Sequence, residues 1–225
     1  MIALITGLVA GVAHVLTGPD HLAAIAPLAT HQRERAWIPG VRWGFGHSAG
    51  VALVGLLSLL LRDLISVDLV SSWGERFVGV MLLGIGLWAW QKATKHSIHT
   101  HEHEHDGNRH VHIHVHPHPK RHYESSAHKH THAAFGIGTL HGLAGSSHFL
   151  GVLPMLAFAT STESLAYLVA FTVGTVMAMA MFSWMMGLIA TRCSKQNVFA
   201  YRALARVCAA SAVCVGCIWL VTSFR

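Results

Sequence analysis

Two imidazoles seven residues apart interrupt a long apolar stretch, in the run His14-Val-Leu-Thr-Gly-Pro-Asp-His21. The same frame returns 127 residues later as His141-Gly-Leu-Ala-Gly-Ser-Ser-His148, so that His14, Leu16, Gly18, His21 and Pro27 match His141, Leu143, Gly145, His148 and Pro154. Neutral imidazole is a borderline ligand suited to dications such as Ni, Co, Zn and Cu. Ionisable groups are expensive in lipid, so their return at matching places in two halves of an apolar chain points to a cation site between the halves.

Asp20 is the sole acid in either frame, and Ser147 is its counterpart. A charge at the middle of a spanning helix costs roughly 2.5–3.5 kcal/mol on insertion scales. Binding a cation, or orienting a ligating imidazole from behind, offsets that cost; capping the helix that follows is the plainer role. A further imidazole, His47, lies in Arg42-Trp-Gly-Phe-Gly-His47-Ser-Ala-Gly50, with Thr175 at the corresponding place in the second half. Glycines there at four-residue spacing let a neighbouring helix come close.

Spacing sets a constraint on these ligands. On a straight helix, residues seven apart share a face but lie about 10 Å from each other, whereas ligands of one ion must each come within ~2.0–2.2 Å of it. His14 and His21 can therefore share an ion only if the helix opens at Gly18-Pro19; otherwise each must pair with the opposite half. Proline removes a backbone hydrogen bond and breaks or kinks a helix.

The elements that must position these groups are membrane spans. The chain has 225 residues, 52% hydrophobic and 12% charged, where a soluble domain carries about 25% charged residues. At ~20 residues per crossing, apolar blocks at 2–30, 37–61, 73–91, 133–159, 164–191 and 198–222 give six spans, the first and fourth over-long and broken. The expected fold is thus all-α and polytopic. Three spans per half put the second half into the membrane in the opposite sense, which makes a 3+3 inverted repeat. Residues 1–93 form the first repeat, 94–132 a loop and 133–225 the second repeat.

The formal net charge of +6 reads as topology. Arg33, Arg35 and Arg42 flank the first connection, Lys92, Lys95 and Lys129 the third, and Arg192, Lys195, Arg202 and Arg206 the fifth. The positive-inside rule then places both termini outside and the third connection in the cytoplasm. No basic stripe carries interleaved aromatics, so nucleic acid is not an expected partner. The N-terminus lacks a basic region and a small-residue cleavage site, and reads as a retained first helix in the cell (inner) membrane.

Of the twenty histidines, fourteen fall between His96 and His132, several in alternation. That segment cannot bury a core and is expected to be disordered, a cytoplasmic metal trap or sensor. His31, beside Gln32, Arg33 and Glu34, reads as a solvated turn residue. Cys214-Val-Gly-Cys217 has no counterpart in the other half to pass electrons to and reads as inert buried thiols. The run Met177 to Met186 reads as flexible packing. Neither a phosphate-binding G-x-x-x-x-G-K-[ST] loop nor a G-x-S-x-G nucleophile elbow is present.

His14 to Pro27, Arg42 to Gly50 and His141 to Pro154 resemble the nickel/cobalt transporter superfamily, and within it the short urease-accessory UreH-like permeases. That resemblance implies movement of nickel or cobalt, with a His-x-x-x-x-Asp-His signature on an early helix required for the metal. This chain has five residues between His14 and Asp20 where the signature has four.

The expected function is a secondary permease, not an enzyme, in which His14, Asp20, His21, His47, His141 and His148 hold a passing Ni(II) or Co(II), with Zn(II) as a further candidate. No cofactor is expected to stay bound. The lipid bilayer, the dication and a candidate cytoplasmic metallochaperone are the partners. An exporter of the same fold, a membrane-embedded zinc hydrolase with Asp20 as base, and a metal sensor or chaperone built on the His tract are the alternatives.

Overall fold

The computed structural model describes residues 1–32, 35–61, 67–95, 98–105, 108–115, 126–143, 151 and 153–224. Among them are α1 (Ile2–Thr17), α2 (Pro19–Gln32), α3 (Trp37–Leu61), α4 (Val67–Lys95), the strands β1 (Ile98–His105) and β2 (Asn108–Val115), α5 (Ser126–Leu143), a 3-10 turn (Leu153–Ala157), α6 (Ser161–Gln196) and α7 (Val198–Thr222).

On the first helix small residues face inward and large apolar ones outward, the reverse of a soluble core. On α1 the buried positions are Ala3, Gly7, Gly11 and Val15, at four-residue spacing, while Ile2, Leu4, Ile5, Val9 and Leu16 are exposed. With lipid as apolar as leucine, helices associate by close packing of small residues, and large side chains are left to the acyl chains. The methionine run is divided between the two environments: Met179 is buried, and Met177, Met181 and Met185 are exposed. Helices α6 and α7 are each long and apolar enough to cross a membrane, and α1 with α2 qualifies as one bent span. The protein is a helical membrane protein.

The expected break in the first block is present. α1 ends at Thr17, Gly18 is extended (φ −89, ψ 99), and α2 leaves at 74° to α1. Pro19 opens α2 where its missing N–H is no loss. α3 and α7 coincide with the apolar blocks at 37–61 and 198–222. In the fourth block α5 is described to Leu143 and Leu153–Ala157 is a 3-10 turn, while residues 144–150 and 152, where the second break is expected, lie outside the described residues. At the other helix junctions capping is conventional. Thr160 caps the start of α6, its hydroxyl accepting from the Glu163 N–H and donating to the Glu163 carboxylate, and Asn197 ends α6 and caps α7 through its side chain.

The loop expected to be disordered differs in part. Residues 98–105 and 108–115 pair as an antiparallel hairpin in which His99, His101 and His103 stand opposite His114, His112 and His110. Composition argued against a packed core, and none is needed, because a two-residue connection lets the strand backbones satisfy each other.

Helix packing is closest where glycine removes the side chain. α1 lies on α6 and α3 on α5, with α4 on α7 and α3 on α6 between them. A Cβ on Gly11 would run into the Phe171 carbonyl, and one on Gly138 into the Trp43 carbonyl. A Cβ on Gly174 would meet Leu8 O and Val12 N, and one on Gly46 would meet Phe135 O and Thr139 N. Ser183 Oγ donates to Ala36 O, tying the middle of α6 to the start of α3. Around the centre of the bundle Val15, Ile25, Trp43, Leu82, Met179 and Ala212 form the main buried cluster.

Candidate metal centre

The break at Gly18 folds α2 back so that the two imidazoles of the first frame meet. The His14 and His21 ring centroids are 4.7 Å apart, about half their separation on an unbroken helix. Glycine is required at the corner for space: a Cβ there would overlap the His21 ring and come within 3.0 Å of Asp20 Oδ1.

His47 reaches the same place from α3. His14 Nε2 lies 3.1 Å from His47 Nε2, and His21 Nε2 lies 3.4 Å from it. Three nitrogens around one ion at ~2.0–2.1 Å would stand roughly 2.9–3.4 Å apart, from right-angled to tetrahedral geometry. The observed separations fall in that range. His14, His21 and His47 form one group able to hold a metal, and Asp20, His21 and His141 form another. Asp20, His21, His47 and His141 are all buried, with His47 and His141 at 0% exposure.

The two groups share His21, and its tautomer separates their roles. A carboxylate only accepts, so at the 3.1 Å contact His21 Nδ1 donates to Asp20 Oδ1. The His21 lone pair is then on Nε2, the nitrogen facing His47 and His14. The other oxygen, Asp20 Oδ2, lies 3.2 Å from His141 Nε2. Asp20 thus orients one ligating imidazole and contacts a second from α5, the arrangement by which carboxylates fix the ring and raise the basicity of metal-bound histidines. The capping role weighed for Asp20 is not what its side chain does: it sits in the first turn of α2, but its oxygens go to imidazoles.

Of the residues expected at the site, the structure brings together His14, Asp20, His21, His47 and His141. His148 lies outside the described residues. Two residues that the sequence reading passed over wall the centre. Phe171 packs on His14 with centroids 5.5 Å apart, and Trp43 packs on His141 at 5.7 Å. Each lies four positions before Thr175 or His47, so carrying the alignment one helical turn further would have found them. His31 is also not the solvated turn residue expected: it lies within α2, donates from Nδ1 to the Pro27 carbonyl at 2.8 Å and packs against Trp88. Cys214 and Cys217 are unbridged, but they are exposed on α7 and not buried as expected, because they lie on the outward face of the helix.

The family described as the cytochrome C biogenesis protein transmembrane region matches residues 2–218. The chain belongs to that family. Within the wider set of relatives, the urease accessory protein UreH of Bacillus sp. (strain TB-90) is 30% identical over 82% of this chain and 76% of its own length. This homology bears out the resemblance carried by His14–Pro27, Arg42–Gly50 and His141–Pro154. Two Arabidopsis thaliana proteins, chloroplast proteins FOR GROWTH AND FERTILITY 1 and 2, are 36% and 34% identical over 81% of the chain. The chain spans about half of their length, 48% and 46%. No solved structure matches.

Proposed function

We propose that the protein is a secondary permease for a borderline divalent transition metal, Ni(II) or Co(II), in the cell membrane. The observation that carries this reading is the convergence of His14, His21 and His47 Nε2 at a buried helix break, with Asp20 behind His21. A resident structural ion would be served by straight helices. A broken helix supplies what a passing ion needs: ligands that can part, and backbone carbonyls near the break.

In this reading six spans form two inverted three-helix repeats, with both termini outside and the His tract in the cytoplasm. The glycine contacts support it. Gly11 on Phe171 and Gly138 on Trp43 are the same contact under the 127- and 128-residue offsets that align the halves, as are Gly174 on Leu8 and Gly46 on Phe135. The His tract would raise the local metal concentration and receive ions from a metallochaperone. The hydrolase alternative loses its base, because both Asp20 oxygens face imidazoles.

The test is flux of radiolabelled nickel into proteoliposomes containing the full chain, without added substrate. Saturable uptake that His21→Ala and His47→Ala abolish is expected. Absence of flux in the wild-type protein, or flux unchanged in both variants, overturns the proposal.

A further inference from the structure

A hydroxyl inside a helix commonly bonds to the backbone of the turn before it. Thr6, Thr17, Thr94, Thr139, Thr191 and Thr222 each donate to the carbonyl four residues back. Among the buried hydroxyls, those of Thr30, Ser183 and Ser223 also donate to a carbonyl. Thr175, at 0% exposure, has no hydrogen-bond partner for Oγ1 among the described residues. Ser48 Oγ shares that state. A buried hydroxyl gives up its hydration and gains nothing unless something bonds it, whereas valine has nearly the same shape and no such cost. An orphan of this kind points to a ligand.

The position of Thr175 says which one. It stands in the second half where His47 stands in the first. A Cβ on Gly11 would lie 2.9 Å from Thr175 N, and one on Gly44 would lie 2.8 Å from Val176 Cα. Gly11 and Gly44 each come three residues before a histidine of the three-nitrogen group, His14 and His47. α6 thus wedges Thr175 between α1 and α3 close to where those helices carry their ligands. Phe171, one turn earlier, packs on His14, and Met179, one turn later, packs in the main core. The carbonyl that Oγ1 would ordinarily reach, Phe171 O, is the one that Gly11 packs against.

Thr175 is not itself one of the ligands. Ligands of one ion stand roughly 2.9–3.4 Å apart, and no hydrogen bond joins Thr175 Oγ1 to His14, His21 or His47. One water molecule spans such an interval. Three imidazoles leave a dication an open position for water, and the charge of the ion makes that water a strong donor. A threonine hydroxyl has two lone pairs to accept from it. We propose that Thr175 holds a water molecule of the cargo's coordination shell, so that the dication passes the centre partly hydrated. Thr175 is then a positioning residue, acting on the ion through that water. This rests on the permease reading and concerns what the ion carries besides histidine.

Two measurements on the full chain in detergent test it: equilibrium binding of nickel, and the visible absorption of bound Co(II). Coordination geometry is diagnostic, and Co(II) bands strengthen as ligands are lost. Thr175→Val should weaken nickel binding about tenfold, the loss of one charge-assisted hydrogen bond, and should strengthen the Co(II) bands. Thr175→Ser should keep both near wild type. Metal-free Thr175→Val should melt no lower than wild type, since it loses only an unpartnered hydroxyl. Wild-type affinity with an unchanged Co(II) spectrum in Thr175→Val overturns the proposal. So does weaker binding with an unchanged spectrum and a lower metal-free melting temperature, which would make Thr175 a packing residue alone. Binding and spectra stand apart from flux: a protein that transports nickel but binds it identically with valine at this position sinks this inference alone.

Discussion

His14 and His141 hold the same place in the duplicated frame, yet their neighbours differ. His14 faces two other imidazoles and joins a three-nitrogen group, whereas His141 faces a carboxylate. The frames differ at four of their eight positions, and Asp20 against Ser147 is the difference that gives only the first an acid. Around each histidine the packing is conserved: an aromatic ring from the opposite half covers it, and a glycine three residues before it lets the helices touch. Packing constrains both copies, because both must bury the same helix face. Chemistry constrains only the sum, so one carboxylate serves both halves.

The largest expected effect tests which histidines hold the ion. His21→Ala removes the imidazole shared by both groups and should lower nickel flux about a hundredfold or more, and His47→Ala should do the same. Asp20→Asn comes next. An asparagine has the shape but cannot accept from two imidazoles with a full charge, and loss of such a supporting carboxylate typically costs 10–100-fold in metal affinity. Both are read by radiolabelled nickel flux and equilibrium binding.

The comparison is sharpened by pairing His14→Ala with His141→Ala. If His14 is a ligand and His141 a partner of Asp20, the first should cost about tenfold more affinity than the second. Equal losses would mean that the Asp20, His21 and His141 group holds the ion just as well, and that the halves share the chemistry evenly. Acid should weaken binding, because only neutral imidazole ligates and protons compete with the ion for its nitrogens; equilibrium nickel binding across a pH series checks the direction.

Much of this was legible in one dimension. The break at Gly18 followed from Pro19, and the meeting of His14 with His21 was one of the two arrangements that distance allowed, the other being pairing with the opposite half. The ends of α3 and α7 followed from hydropathy. What could not be read was which histidines face each other across helices, since the approach of α3 to α5 and of α1 to α6 depends on where glycine admits a neighbouring backbone. Thus His47 was a loosely placed member of the set, yet it stands at the centre of the three-nitrogen group. His31 was misplaced because its polar neighbours suggested solvent, while Pro27 one turn earlier accepts from its ring and Trp88, distant in sequence, packs against it and leaves it half-buried. The hairpin escaped notice although Val111, Ile113 and Val115 alternate with histidines in a period of two, because the polar, His-rich composition of the whole segment outweighed that short pattern.

The smallest effect bears on packing, and it is the one that the duplicated scaffold predicts most sharply. Gly11→Ala and Gly138→Ala each drive a methyl group into a backbone carbonyl of the facing helix. A carbonyl cannot swing aside as a side chain can, so the helices must separate, at a cost of about 1–3 kcal/mol for overpacking of this kind. Because the two contacts are equivalent, the two variants should lose similar stability in thermal unfolding in detergent. Gly136→Ala is the control: nothing lies within 4 Å of its Cβ position, and the change should stay within about 0.5 kcal/mol of wild type. Unequal losses at Gly11 and Gly138 would show that the halves do not bear equal strain, and the contrast between a shared scaffold and an unshared carboxylate would then fail at its first term.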